Sequence, residues 1–198
     1  MKRVSLLPHI LAVVSLAAAS ITYAGGQPTT AIPLDKGSYR VSYSPELGIP
    51  VRVDWMLRAS DLGAVKREPS FKFKTDKDTP RPRVTSALYT RSGYQRGHMC
   101  PAADRSATTA LMRSTFIMSN ICPMTARLNT GKWKMTEDYA RKVAKTYGSC
   151  SIIAAPLFYP EDTTWIGGHR VAVPHAFFKI LFSIDPVKVH GMYVYENQ

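Results

Sequence analysis

Residues 130–147 are the one stretch of this sequence that reads as a well-formed helix, while the other long apolar runs have the length and period of strands. Trp133, Ala140, Val143, Ala144 and Tyr147 fall on one side at helical spacing, and Gly148 is placed to end the helix. By contrast, Val51, Val53, Trp55 and Leu57 alternate with Arg52, Asp54 and Met56, the period of two that marks a half-buried strand. Residues 39–43 read as a short strand and 114–121 as an interior one. Residues 151–158 and 176–184 are two further apolar strands, and 189–195 is a last one. Several strands with one helix between them predict an α+β fold with a mainly antiparallel sheet. Residues 66–92 mix Lys, Arg, Pro, Asp and Thr, the composition of a long exposed loop of the kind that often carries function.

The N-terminus reads as an address. Lys2 and Arg3 give a positive start, residues 4–19 are mostly apolar, and Thr22 and Ala24 are small residues before a cut. The expected organisation is a signal peptide over residues 1–24, a flexible leader rich in Gly, Pro and Thr over 25–37, and one domain over 38–198. A chain so processed is expected to be secreted or periplasmic, with no stable membrane association after cleavage. An uncleaved anchor is the alternative that these residues leave open.

Taking Lys2 and Arg3 from the formal net charge of +12 leaves +10. Two stretches account for it. Residues 66–105 hold ten basic side chains against four acids, and residues 125–147 hold six against two. Such a surface suits anionic membrane, acidic polymers or nucleic acid, and charge alone does not choose between them. Cys100, Cys122 and Cys150 cannot all pair within the chain, and none forms a Cys-x-x-Cys pair, which argues against a structural zinc site. A Cys100–Cys122 bridge and two buried thiols both remain open.

Two segments carry chemistry. Residues 94–104 read YQRGHMCPAAD. Gly97 permits a tight approach of backbone, His98 can take a proton near neutral pH, and Arg96 offers a planar charged fork to phosphate oxygens. Residues 119–137 read SNICPMTARLNTGKWKMTE. Asn129, Trp133 and Glu137 are spaced by four, so on a helix they share a face. An amide oxygen and a carboxylate side by side suit a hard cation such as magnesium, which keeps much of its own water. Each piece has a plain structural alternative: a turn for Arg96-Gly97-His98, a helix cap for Asn129 and a solvated acid for Glu137.

Taken together, these segments resemble the DNA/RNA nonspecific endonucleases of the ββα-metal group. The hallmark Asp-Arg-Gly-His is matched by Arg96, Gly97 and His98, with Gln95 in place of the acid. Ser119, Asn120 and Pro123 match the following Ser-Asn-x-x-Pro. Leu128, Asn129, Gly131, Trp133 and Glu137 match the next run in order and spacing. The resemblance covers most of residues 38–195. It implies a ββα-metal active-site motif, with His98 as general base and Asn129 as direct ligand of one divalent cation, Mg2+ or another such as Mn2+. Glu137 would hold the cation through water, and Asn120 would brace the site. Arg96 would contact phosphate, and Arg67 would stabilise the transition state. Lys132 joins Arg67 and Arg96 as an expected nucleic-acid contact. The implied partners are DNA and RNA, gripped by the backbone without reading sequence, and a homodimer is left open. The implied products carry 5′-phosphate ends. Gln95 also leaves room for a second reading, a catalytically impaired basic protein that binds nucleic acid without cutting it.

Overall fold

The computed structural model describes residues 30–159, 163–184 and 187–198; the expected signal peptide lies outside them. In chain order the strands are β1 (Ile32–Asp35), β2 (Arg40–Ser44), β3 (Ile49–Arg58), β4 (Gln95–His98), β5 (Ile121–Met124), β6 (Ser149–Leu157), β7 (Trp165–Ile166), β8 (Val171–Ala172), β9 (Ala176–Ile184) and β10 (Val187–Glu196). The helices are α1 (Thr109–Ser114), α2 (Ala126–Thr130) and α3 (Lys132–Tyr147). Six strands form one antiparallel sheet in the order β1-β2-β3-β6-β9-β10, while β4 pairs with β5 and β7 with β8. The expected α+β fold with a mainly antiparallel sheet is the one observed.

Register explains the core. Val53 faces Ala154, Trp55 faces Ile152 and Leu57 faces Cys150; Ile152 in turn faces Leu181, and Ala154 faces Lys179. Directly opposed residues share a face of a sheet, so the period-two pattern of β3 continues across β6 and β9 as one buried surface. Helix α3 lies against this surface through Trp133, Thr136, Ala140, Val143 and Ala144. Gly148, at φ 82°, closes the helix in a conformation a side chain would strain.

Three expectations change. Part of the leader is structure: β1 hydrogen-bonds to β2 from Ile32 opposite Tyr43 to Asp35 opposite Arg40, and Leu34 is buried. Lys36 then pairs with the buried Asp76 at 2.7 Å, which also accepts the Ser119 hydroxyl. The domain therefore begins before residue 38. Residues 114–121 are not an interior strand. They run from the end of α1 through a turn to a 3-10 segment at Met118–Asn120, and the strand starts only at Ile121. The hydroxyls of Ser114 and Thr115 donate to the carbonyls of Leu111 and Met112, giving the backbone a local alternative to a ladder. The 66–92 loop is exposed at its start, but Phe71, Asp76, Thr79, Val84 and Tyr89 are buried and pin it down. Cys100, Cys122 and Cys150 are all buried and free, so no bridge links the first two.

Candidate active site

The β4–β5 pair and the α2–α3 junction converge on an open cleft of about 610 Å³, lined among others by Arg67, Arg96, His98, Asn129 and Glu137. Two glycines make the convergence feasible. A Cβ on Gly97 would stand 2.3 Å from the Met124 sulfur, so any side chain there would have to displace the Met124 side chain packed over β4. Gly131, at φ −103° and ψ −114°, breaks the helical run, and a Cβ there would stand 2.4 Å from the Arg127 carbonyl. Asn129 thus sits on its own short helix, whose N-terminus is capped by the Thr125 hydroxyl accepting from the Leu128 N–H at 3.3 Å, rather than at the mouth of α3.

The ring of His98 packs against Phe116 and Phe73, with centroids 4.8 and 5.3 Å away. Its backbone carbonyl accepts the Trp133 indole N–H at 3.1 Å. Nε2 is shielded and has no hydrogen-bond partner among the described residues. Burial, and then the Arg67 guanidinium, push the ring's pKa down to about 3, so it stays neutral with a lone pair for a proton. Arg67 lies over the Phe116 ring at 5.1 Å. Arg96 donates from Nε and a terminal nitrogen to the Ser86 hydroxyl and carbonyl at 2.7 and 2.6 Å. Those two bonds leave guanidinium N–H groups to spare for an anion in the cleft.

Asn129 donates from Nδ2 to Oε1 of Gln95 at 2.7 Å, and no described residue hydrogen-bonds its Oδ1, which could take a cation. Burial pushes the Glu137 carboxyl up to about 7, against the pull of Lys179. Two oxygen donors, with no cluster of three or more His, Cys, Asp or Glu among the described residues, fit a hard ion that keeps most of its water.

Two further residues named from the sequence do not line this cleft. Asn120 is fully buried beneath the cleft. It accepts from the Cys100 N–H at 2.9 Å and donates to the Cys100 and Thr115 carbonyls at 2.9 and 3.0 Å. It braces the turn after His98 and does not line the cleft. Lys132 lines a neighbouring cavity with Arg127 and Met135. It stands five positions before Glu137, which turns it about 140° away on an ideal helix.

Sequence reasoning did not reach four other residues of the cleft: Arg141, Lys134, Lys145 and Lys66 also line it. Arg141 pairs with the buried Asp104 at 2.7 Å, and Asp104 accepts the Trp55 indole N–H at 3.0 Å. The four-residue spacing from Asn129 through Glu137, carried two steps further, reaches Arg141 and Lys145. Lys179 is buried in an apolar strand with Nζ 3.6 Å from the Trp133 ring centroid, and nothing in that strand's pattern signals it.

The profile of the family described as "DNA/RNA non-specific endonuclease" matches residues 18–197. The chain belongs to that family. It is 35% identical over 170 residues to "Nuclease" of Nostoc sp., covering 81% of this chain and 59% of that one. It is 32% identical over 166 residues to mitochondrial endonuclease G of Bos taurus, covering 79% and 56%. The chain therefore spans little more than half the length of these two curated relatives. A solved structure of the EndoG/EndoGI complex matches with a TM-score of 0.78 at 27% identity, covering all of this chain and 82% of that one. The ββα arrangement of β4, β5 and the helices after it is the family's fold.

The opposed shifts in this endonuclease-family cleft have a measurable consequence. Glu137, raised to about 7, contributes stability that is complete below its usual 4.5 and is lost as pH rises through about 7. His98, lowered to about 3, contributes stability that is present above its usual 6.5 and is lost as pH falls. Between those two usual values the slopes cancel. In EDTA, Glu137→Gln is therefore expected to make the slope of Tm with pH across this window more positive than in wild type, and His98→Gln more negative. Parallel slopes in the two variants would contradict the assignment.

Proposed function

We propose that this protein is an exported, divalent-metal-dependent endonuclease that hydrolyses DNA and RNA without reading sequence. The observation that carries the proposal is the meeting of His98, Arg67, Arg96, Asn129 and Glu137 in one cleft from four separate stretches of chain. His98 takes a proton from the attacking water. Arg96 and Arg67 offset charge that builds on the phosphoryl oxygens. Asn129 through Oδ1, and Glu137 through water, would hold the cation. When bound, Mg2+ or a similar ion supplies Lewis-acid stabilisation of the phosphate and the leaving oxygen. Water rather than a ribose hydroxyl is the nucleophile, so both polymers serve, and breaking the bond to the 3′ oxygen leaves 5′-phosphate ends. Ligation tests this: products should rejoin without prior phosphorylation, and 5′-hydroxyl ends would overturn the route. Export rests on the sequence of residues 1–24. No helix of the described residues is long and apolar enough to cross a membrane.

Lys66, Lys134 and Lys145 extend the basic lining beyond the reacting centre. Each phosphate that a side chain no longer neutralises makes the fall of log affinity with log salt shallower by about 0.9 on duplex DNA. Changing all three lysines to Gln is expected to reduce that slope by about 2 to 3 in EDTA. Lys134 contributes least, because Asp138 already holds it at 2.8 Å. An unchanged slope would place the nucleic acid elsewhere.

A further inference from the structure

We propose that Gln95 is a positioning residue for Asn129, and that their amide pair has two hydrogen-bonded registers of which only one presents an oxygen to the cation. The proposal rests on the reading of Asn129 as the direct cation ligand. Gln95 opens β4 opposite Met124, the last residue of β5, and Thr125 then caps α2. This connection brings the two side chains together, with Nδ2 of Asn129 donating to Oε1 of Gln95 at 2.7 Å.

Two primary amides can pair in the opposite sense equally well. If both turn over, Nε2 of Gln95 donates to Oδ1 of Asn129, and one hydrogen bond replaces another. The terminal torsions of Asn and Gln are broad and roughly two-fold, so the exchange meets little resistance from the side chains themselves. Among the described residues no other hydrogen bond holds either amide in one sense: Oδ1 of Asn129 and Nε2 of Gln95 have no hydrogen-bond partner there. The other register turns an N–H of Asn129, rather than an oxygen, toward the cleft, and an amide N–H repels a cation. A carboxylate at 95 would end this ambiguity, since it can only accept. It would hold Nδ2 and commit Oδ1 to the cleft. It would also add a negative charge beside the site.

The test is direct binding of Mn2+ without nucleic acid, followed by the loss of the free-ion EPR signal, on the full domain with Tm as a folding control. Gln95→Glu is expected to bind at least ten-fold more tightly than wild type. Gln95→Met, close in size but unable to hydrogen-bond, is expected to bind several-fold more weakly at unchanged Tm. In 15N spectra, adding Mg2+ should shift the Asn129 side-chain NH2 pair in wild type more than in Gln95→Glu, where the register is already set. That difference is one that charge alone does not produce. Mn2+ affinity indifferent to both substitutions overturns the proposal while leaving the cation site standing. A wild-type protein that takes up no Mn2+, and behaves like Asn129→Ala, overturns the cation site and the proposal with it.

Discussion

Replacing His98 with asparagine is expected to lower turnover about 10²- to 10⁴-fold while leaving substrate affinity nearly intact, because the proposed base is lost and the proposed phosphate-binding side chains are not. Arg96 keeps its bonds to Ser86, and Arg67 keeps its place over Phe116. The fold should survive, since the contact that ties this strand to α3 is made by the His98 backbone carbonyl and not by the ring. The ring is held neutral far below its usual range, so the loss should appear across the whole neutral pH region rather than on one limb. Single-turnover rates on a short duplex at saturating enzyme check this. A rate within ten-fold of wild type would move the base elsewhere in the cleft.

The second large effect is structural. Trp133→Ala is expected to cost about 3–5 kcal/mol, the range for removing a fully buried large aromatic, and a domain of this size has only about 5–15 kcal/mol to lose. Trp133 is wholly buried, 5.5 Å from the Phe177 ring, with the Lys179 ammonium over its face. Removing the ring also strips that buried cation of its closest aromatic neighbour. Trp133→Phe separates the two roles. It keeps most of the packing but loses the indole N–H donated to the His98 carbonyl, at about 1 kcal/mol. Its Tm should fall by a few degrees, while kcat falls further than that stability loss explains, because His98 is no longer anchored from behind. Denaturant unfolding with parallel kinetics checks both. Equal losses of kcat and stability in the two variants would reduce Trp133 to packing alone.

Much of this was legible in the sequence where local chemistry and tertiary context agree. The alternation in residues 51–57 gave β3, and the spacing of Trp133, Ala140, Val143 and Ala144 gave the buried face of α3. It failed where the two disagree. Residues 114–121 are β-prone, yet hydroxyl-to-carbonyl bonds from Ser114 and Thr115 close a helix there instead. Residues 32–35 lie between Pro28 and Gly37 in a stretch that reads as loop, and only pairing with β2 makes them a strand. In the cleft, the triplet Asn129, Trp133 and Glu137 was visible from spacing, although Gly131 splits it across two helices. Lys132 turns to a neighbouring cavity, because adjacency in sequence is not adjacency on a helix surface. Arg141 and Lys145 were one and two further steps along a spacing already noticed. Lys179 had no signal, because its partners Trp133 and Glu137 come from another element. Gln95 stood out only as a departure from the motif, and its contact with Asn129 gives that departure a physical meaning.

The most direct measurement is incubation of the protein, cut after Ala24, with supercoiled plasmid and with a folded RNA, each in Mg2+ and in EDTA. Nicking and then degradation of both polymers in Mg2+, with none in EDTA, is the result expected of the proposed general base and cation. Plasmid and RNA that stay intact with a folded protein, in Mg2+ and in Mn2+ alike, would contradict it and leave a basic protein that grips nucleic acid without cutting it.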